Sequence, residues 1–224
     1  MFHSKHSHVM KPSVFIAAAL ALSPLTLHAE SEIIWGAKAT FDVNLPTKWK
    51  SKEVAVKMYK PGLGVTLGAV CNIWLGHNFY LEPGASLFYD NYDYDDIIIS
   101  NGDGYGGSIK SLYKIGLRVP VNVGYTFNFS DTFELSVYTG PQFSYAFAGD
   151  NRVNIEYLEE DIDFSLFGGF GSQRRFEMGW KVGVALPVGS WAIGVEGDFG
   201  ITDILTGTFK CRENRVCLAL TQYF

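Results

Sequence analysis

Charged side chains share one phase of an alternating pattern along the sequence, and they are the first candidates for chemistry. Alternate residues of a strand lie on the same face of a sheet, so these charges predict that one face is polar and points into the interior of the protein. Buried charges must be paired to be tolerated, and we therefore predict a closed network of salt bridges. The alternative is a narrow water-filled pathway whose charges set an ion preference. Five basic and five acidic residues make up this predicted network: Lys38, Glu82, Lys114, Arg118, Glu134, Glu177, Lys181, Glu196, Asp198 and Arg215.

Histidine is scarce, which bears on catalysis. His77 is the only histidine after residue 29, and it falls in a predicted turn. A carboxylate can also act as a general base, but the pattern brings no nucleophile and base together. We therefore predict no enzymatic activity and no cofactor.

Two acidic segments contain the oxygen ligands that Ca²⁺ or Mg²⁺ prefers. Their spacing does not match an EF-hand loop, so solvated acidic loops are the preferred interpretation and we predict no metal site. The tyrosines among these acids suggest a surface-recognition patch that binds a partner. The acids are Asp90, Asp93, Asp95, Asp96 and Asp103, then Glu156, Glu159, Glu160, Asp161 and Asp163; the tyrosines are Tyr92, Tyr94, Tyr105 and Tyr157.

The N-terminus has the features of a secretory signal peptide. An apolar run from Val14 to Leu22 precedes a Ser-Pro break and a small residue, Ala29. The run is shorter than the ~20 residues of a membrane-spanning helix, so we predict cleavage between Ala29 and Glu30. Residues 30–224 then form one domain that keeps 16 of 18 basic and all 23 acidic residues, a net charge of −7. This charge argues against nucleic acid as a partner.

Alternating segments recur eight times between turn signals, which predicts strands. The connections alternate between short turns near 76–78, 129–131 and 188–190 and long segments around 45–60, 91–109, 149–173 and 203–212. Bacterial outer-membrane barrels pair short periplasmic turns with long outer loops. We predict an all-β fold, an eight-stranded antiparallel up-and-down transmembrane β-barrel. Its strands cover roughly 33–44, 61–75, 78–90, 110–127, 132–148, 174–188, 190–202 and 213–224.

The side-chain volumes predict which face meets lipid. One face carries bulky apolar residues and no charge, whereas most glycines lie on the charged face. An eight-stranded interior is only just wide enough for side chains, so the bulky face must point outward.

Pro83, Pro120 and Pro141 each remove one backbone hydrogen-bond donor from a predicted strand, which predicts β-bulges at these positions. The remaining cysteines, Cys71, Cys211 and Cys217, are too few for a disulfide framework and favour free thiols or one loop disulfide.

Several motifs resemble the outer-membrane protein β-barrel domain family, small porin-like barrels of Gram-negative bacteria. The resemblance covers the whole mature chain and implies an integral outer-membrane protein surrounded by lipid and lipopolysaccharide. The terminal Phe224 resembles the signal that the barrel-assembly machinery reads. The paired lumen charges and the lack of a catalytic pair predict a structural or surface-interaction role, with a narrow porin-like channel or a lipid-modifying enzyme as alternatives. The resemblance to some relatives adds a further alternative, a barrel component of an envelope secretion or assembly system. The motifs are Phe79-Tyr80-Leu81-Glu82-Pro83-Gly84, Thr139-Gly140-Pro141-Gln142, Asp198-Phe199-Gly200-Ile201-Thr202-Asp203 and Tyr223-Phe224.

Overall fold

The structure is a computed structural model that describes residues 32–52, 55–101, 105–130, 133–155, 160–168 and 173–224. The predicted cleavage position at Ala29 and Glu30 lies outside these residues. Within the described ranges, no helix is long and apolar enough to cross a membrane.

The described chain forms eleven strands and no α-helix. In chain order they are β1 (Ile33–Pro46), β2 (Trp49–Lys50), β3 (Ala55–Val56), β4 (Gly62–Gly76), β5 (Phe79–Asn101), β6 (Tyr105–Ser130), β7 (Phe133–Ile155), β8 (Glu160–Ser165), β9 (Phe176–Val188), β10 (Trp191–Gly200) and β11 (Glu213–Tyr223).

Eight of these strands close into an antiparallel ring. The order around the ring is β1-β4-β5-β6-β7-β9-β10-β11, and β11 pairs with β1 from Gly36 opposite Tyr223 to Pro46 opposite Glu213. β8 pairs with the outer part of β7, and β2 pairs with β3 and, through Lys50, forms a single bridge with Lys210. The predicted eight-stranded up-and-down barrel is confirmed. Closure leaves the eight long strands without a free edge.

The short turns have the backbone geometry that tight hairpins require. His77 and Asn78 join β4 to β5 with φ of 52° and 66°, both positive as in a type I′ turn. Gly189 joins β9 to β10 with φ of 62°, as the first central residue of a type II′ turn requires. These turns lie at the same end as both termini of the barrel, which is therefore the periplasmic end.

Strands β5, β6 and β7 are longer than the sequence pattern predicts. β5 continues to Asn101, β6 already begins at Tyr105, and β7 continues to Ile155. The predicted long connections at 91–109 and 149–173 are therefore largely sheet. Above the lipid, both faces of a strand can be polar, so the alternation that marks a membrane strand is lost although the backbone ladder continues.

The β-bulges predicted at the three prolines are wrong. The β5–β6 register is the same on both sides of Pro83, and the β6–β7 and β7–β9 registers are likewise unbroken at Pro120 and Pro141. The shifts occur elsewhere, for example between Ile115 and Gly116. A proline removes one donor but adds no residue to its strand, so the pairing on either side can stay in step.

Candidate functional site

The two faces of the barrel wall differ sharply in exposure. On β4, Leu63, Val65 and Leu67 point outward and are more than half exposed. Lys38 and Asp42 of β1 and Glu213 and Arg215 of β11 alternate with such residues and are buried inside the ring. The apolar face therefore points to lipid, and the lumen holds the polar groups.

Glycines on the inner face make room for these groups. A Cβ atom on Gly64 would lie 2.3 Å from Oδ1 of Asp90, and one on Gly124 would lie 2.1 Å from the Tyr80 ring. The lumen is thus filled by large side chains from some strands lying over glycines of others, as the volume argument predicts.

The periplasmic half of the lumen is organised around Glu196. This carboxylate forms ion pairs with Lys38 and Lys181 and accepts a hydrogen bond of 2.7 Å from the Tyr138 hydroxyl. Lys38 lies 3.7 Å from Glu82, which in turn accepts a hydrogen bond of 2.8 Å from the Tyr223 hydroxyl. Every one of these charges has an oppositely charged partner.

The middle of the lumen is occupied by Arg118. Its two terminal nitrogens lie 2.7 Å from Asp42 and 2.6 Å from Asp90. Its guanidinium also lies 4.2 Å from the centre of the Phe88 ring, a cation–π contact. Asp42 accepts a further hydrogen bond of 2.8 Å from Thr66.

The outer part of the lumen joins the others through Arg215. Lys114 lies 2.6 Å from Glu213 and 3.0 Å from Glu177. Arg215 lies 3.0 Å from Glu213 and 3.3 Å from Asp198, and Asp198 is 3.8 Å from Lys181. The charges therefore form one connected set, which we call the lumen network. Its members are Lys38, Asp42, Glu82, Asp90, Lys114, Arg118, Glu177, Lys181, Glu196, Asp198, Glu213 and Arg215.

The lumen network contains nine of the ten residues proposed from the sequence. Glu134 lies apart from it, exposed at the periplasmic rim near the start of β7, where solvent can stabilise a carboxylate. Sequence reasoning missed Asp42, Asp90 and Glu213. Asp90, at the end of a predicted strand and counted among the acids of a solvated segment, is fully buried inside β5.

A hydrophobic cluster, which we call the crown, covers the outer end of the lumen. It includes Tyr59 from the segment after β3, Tyr92 and Tyr94 from β5, and side chains from the segments before β9 and β11. Tyr94 donates a hydrogen bond of 2.6 Å to Asn151, and Gln173 donates one of 3.0 Å to the Tyr59 hydroxyl. The other members are Phe88, Leu112, Ala146, Leu166, Phe167, Ile204, Leu205 and Cys211.

The crown corrects the proposed tyrosine patch. Tyr92 and Tyr94 are buried and cannot present a recognition surface. The side chain of Tyr105 and the whole of Tyr157 lie outside the described part.

Burial in the crown raises the pKa of Tyr59 and raises that of the Cys211 thiol to about 11. Cys211 is therefore protonated at neutral pH, and all three cysteines are free thiols.

One cavity opens at the periplasmic end. It has a volume of about 190 Å³ and is lined by Tyr80, Tyr138 and Tyr223, with Lys38 from the lumen network and Glu134 at the rim. Deeper voids between the charged side chains measure only about 20 and 10 Å³. A water molecule needs about 10–15 Å³, so each of these two voids has room for about one water.

The acidic outer segments do not assemble a metal site in the described part of the chain, where no group of three or more His, Cys, Asp or Glu side chains has suitable geometry. Asp93 is exposed, and Asp95 lies 3.9 Å from Lys57. Asp103, Glu156 and Glu159 fall outside the described residues, as do the side chains of Asp96, Glu160 and Asp161.

The fold and lumen together define a transmembrane β-barrel with a charged, filled interior. The family model of the outer membrane protein beta-barrel domain matches residues 29–206, and the chain belongs to this family. The family and the fold make it an integral protein of the outer membrane. No curated protein matches it.

Phe224, the predicted assembly signal, is 78% exposed on the lipid side of the barrel, and its amide donates a 2.9 Å hydrogen bond to the carbonyl oxygen of Trp35.

Several solved outer-membrane barrels are similar in fold. OprG from Pseudomonas aeruginosa is 12% identical, with 86% of this chain and 94% of that chain covered and a TM-score of 0.44. Neisserial surface protein A is 14% identical, with 88% and 100% covered and a TM-score of 0.41. Ail of Yersinia pestis is 11% identical, with 88% and 100% covered and a TM-score of 0.40. Likenesses this weak do not extend to ligands or activity.

Proposed function

We propose that the protein is a closed outer-membrane barrel with a structural or surface-interaction role, and that it neither conducts ions nor catalyses a reaction. The observation that carries this proposal is the lumen network, which crosses the interior beneath the crown. Breaking one buried pair by removing a partner costs about 3–5 kcal/mol. A conducting path would need several ion pairs to separate at the same time. The free energy for this is more than thermal fluctuations of the barrel provide.

The position of the only histidine in residues 30–224 supports a role without catalysis. His77 lies in the β4–β5 turn at the periplasmic end, far along the barrel from the outer leaflet. A lipid-modifying activity at the outer rim would need another base. If that activity were present, expression of the chain would change the mass of lipid A, and we expect the mass to stay the same.

Single-channel recording tests the closed lumen. The mature chain, residues 30–224, is refolded into a planar bilayer, and folding is checked by heat-modifiable migration on a gel. We expect a silent membrane from a folded barrel. Discrete, ion-selective steps that shift when Lys114, Arg118 or Glu196 is neutralised would contradict the proposal and favour the channel alternative.

For a surface role, we expect the partners to be outer-membrane lipid, lipopolysaccharide or other envelope proteins. Stable copurification of the wild-type barrel with envelope assembly or secretion proteins would instead favour the assembly alternative. We expect Phe224 to be read by the barrel-assembly machinery during biogenesis and to have no further role in the assembled barrel.

A further inference from the structure

A cleft lined by cations lies at the outer ends of β1 and β11. These strands are neighbours in the ring, so the segment that leaves β1 runs beside the one that enters β11. Thr47 donates its amide to Arg212 O at 2.8 Å, and Lys50 and Lys210 exchange backbone hydrogen bonds of 2.9 and 2.8 Å. The open cleft between these segments has a volume of about 340 Å³. We call it the basic cleft; its four exposed cations are Lys48, Lys50, Lys210 and Arg212.

The basic cleft has a local excess of positive charge in an acidic protein. Within the described residues, Asp203 is the only carboxylate that lines it, at 3.9 Å from Arg212. The sequence shows the same segregation, because residues 47–60 contain five lysines and one glutamate, whereas residues 90–103 contain five aspartates and no lysine or arginine. The lining of the basic cleft therefore has four cations and one carboxylate, a local net charge of +3.

The basic cleft lies immediately beyond the lipid-facing band. Leu45, one residue before the last of β1, is an outward and exposed apolar residue, as is Val216 on β11. Phe209 is exposed directly beside Lys210 and packs against Trp49, with 6.0 Å between the ring centres. Aromatic residues favour the boundary between membrane and water. This position predicts that the cations of the basic cleft lie at the level of the lipid headgroups.

We propose that the basic cleft binds the phosphate groups of the outer-leaflet glycolipid, lipid A of lipopolysaccharide. Ammonium groups and the planar guanidinium of Arg212 donate charge-assisted hydrogen bonds to phosphate oxygens. A lipid is the occupant because the cleft adjoins the apolar band, so one molecule can place acyl chains on the barrel wall and phosphate among the cations. This proposal does not depend on whether the lumen conducts.

Binding of lipid A to the folded mature chain tests the proposal. The barrel in zwitterionic detergent micelles with EDTA is titrated with diphosphoryl lipid A and with fully dephosphorylated lipid A. Thermophoresis gives the affinity, and native mass spectrometry counts the bound lipids. We expect the diphosphoryl form to bind more tightly. K50Q/K210Q should bind it roughly 30-fold more weakly, from about 1 kcal/mol per cation near an anionic surface.

A matched double variant separates the cleft from general attraction. K52Q/K57Q removes the same charge from the same outer segment but leaves the cleft intact, and its Lys57–Asp95 pair at 3.9 Å is half exposed and weak. We expect its affinity to stay near that of the wild type. Equal weakening of both variants, or equal binding of dephosphorylated lipid A, would overturn the proposal. Tighter binding of dextran sulfate than of lipid A would also overturn it, because the site would then be one for soluble polyanions.

Discussion

Glu196 shows what a single residue does in this lumen. It is almost fully buried, and it forms the shortest ion pair of two lysines from different strands, Lys38 and Lys181. A buried cation that loses its counter-charge keeps its full desolvation penalty. The stability of the barrel therefore depends on such carboxylates far more than on its surface ion pairs.

Replacing Glu196 with Gln should be strongly destabilising. E196Q keeps the shape of the side chain but removes the charge, so we expect the free energy of unfolding to fall by about 3–5 kcal/mol. The measurement is urea unfolding in phospholipid vesicles, followed by tryptophan fluorescence. D163N is the control, because the Arg152–Asp163 pair is half exposed and should contribute less than about 1 kcal/mol. Similar losses in both variants would contradict the importance of burial.

The residues missed by the sequence analysis show where such reasoning fails. Asp42, Asp90 and Glu213 each have the correct alternation for the lumen, but the latter two lie at the ends of predicted strands. Charges near a strand end are usually solvated, so the pattern gives no reason to bury them. The crown, built from segments distant in sequence, covers the outer end of the lumen where Glu213 is buried, and the alternation along one strand does not show this cover.

At the scale of the strands, glycine controls how closely neighbours approach inside the ring. A Cβ atom on Gly140 of β7 would lie 2.0 Å from the carbonyl oxygen of Val121 on β6. That atom belongs to the backbone, so it cannot move without separating the two strands. Gly197 of β10 faces outward, and a Cβ atom there would meet only the Phe199 ring at 3.6 Å.

These two glycines provide a matched pair of substitutions. G140A should lower the free energy of unfolding by about 1–3 kcal/mol, the usual cost of overpacking. G197A adds the same methyl group on the lipid side and should be neutral or stabilising by about 0.5–1 kcal/mol, because alanine is better than glycine within a strand. Urea unfolding of both variants in vesicles measures the difference. If G140A were as stable as G197A, β6 and β7 would be able to separate locally without loss of stability, and the prediction would be wrong.

The sequence pattern locates strands well where lipid surrounds them and poorly above the lipid. β1, β4, β9 and β11 begin and end within a few residues of the prediction. β5, β6 and β7 continue beyond it, because the alternation of apolar and polar residues ends where both faces become polar or covered by the crown. The short turns were predicted for a separate reason. The positive φ values at His77, Asn78 and Gly189 are those that a two-residue hairpin turn requires.

At the scale of the whole molecule, the two ends of the barrel differ. The crown covers the outer end of the lumen, whereas the cavity of about 190 Å³ opens to the periplasmic end. The lumen network lies between them, and two voids among its side chains each have room for about one water. These observations predict a barrel that solutes can enter from the periplasmic end only.

Cysteine accessibility tests this asymmetry directly. In a background that carries C71A, C211A and C217A, S136C places a thiol on the wall of the periplasmic cavity, and S144C places one in the outer half of the lumen beneath the crown. We expect a small methanethiosulfonate reagent to modify S136C in the folded barrel and to modify S144C only after denaturation, as mass spectrometry can show. Modification of folded S144C would mean that solutes pass the crown or the lumen network, which contradicts the closed lumen. Protection of both thiols would mean that the periplasmic cavity is also closed.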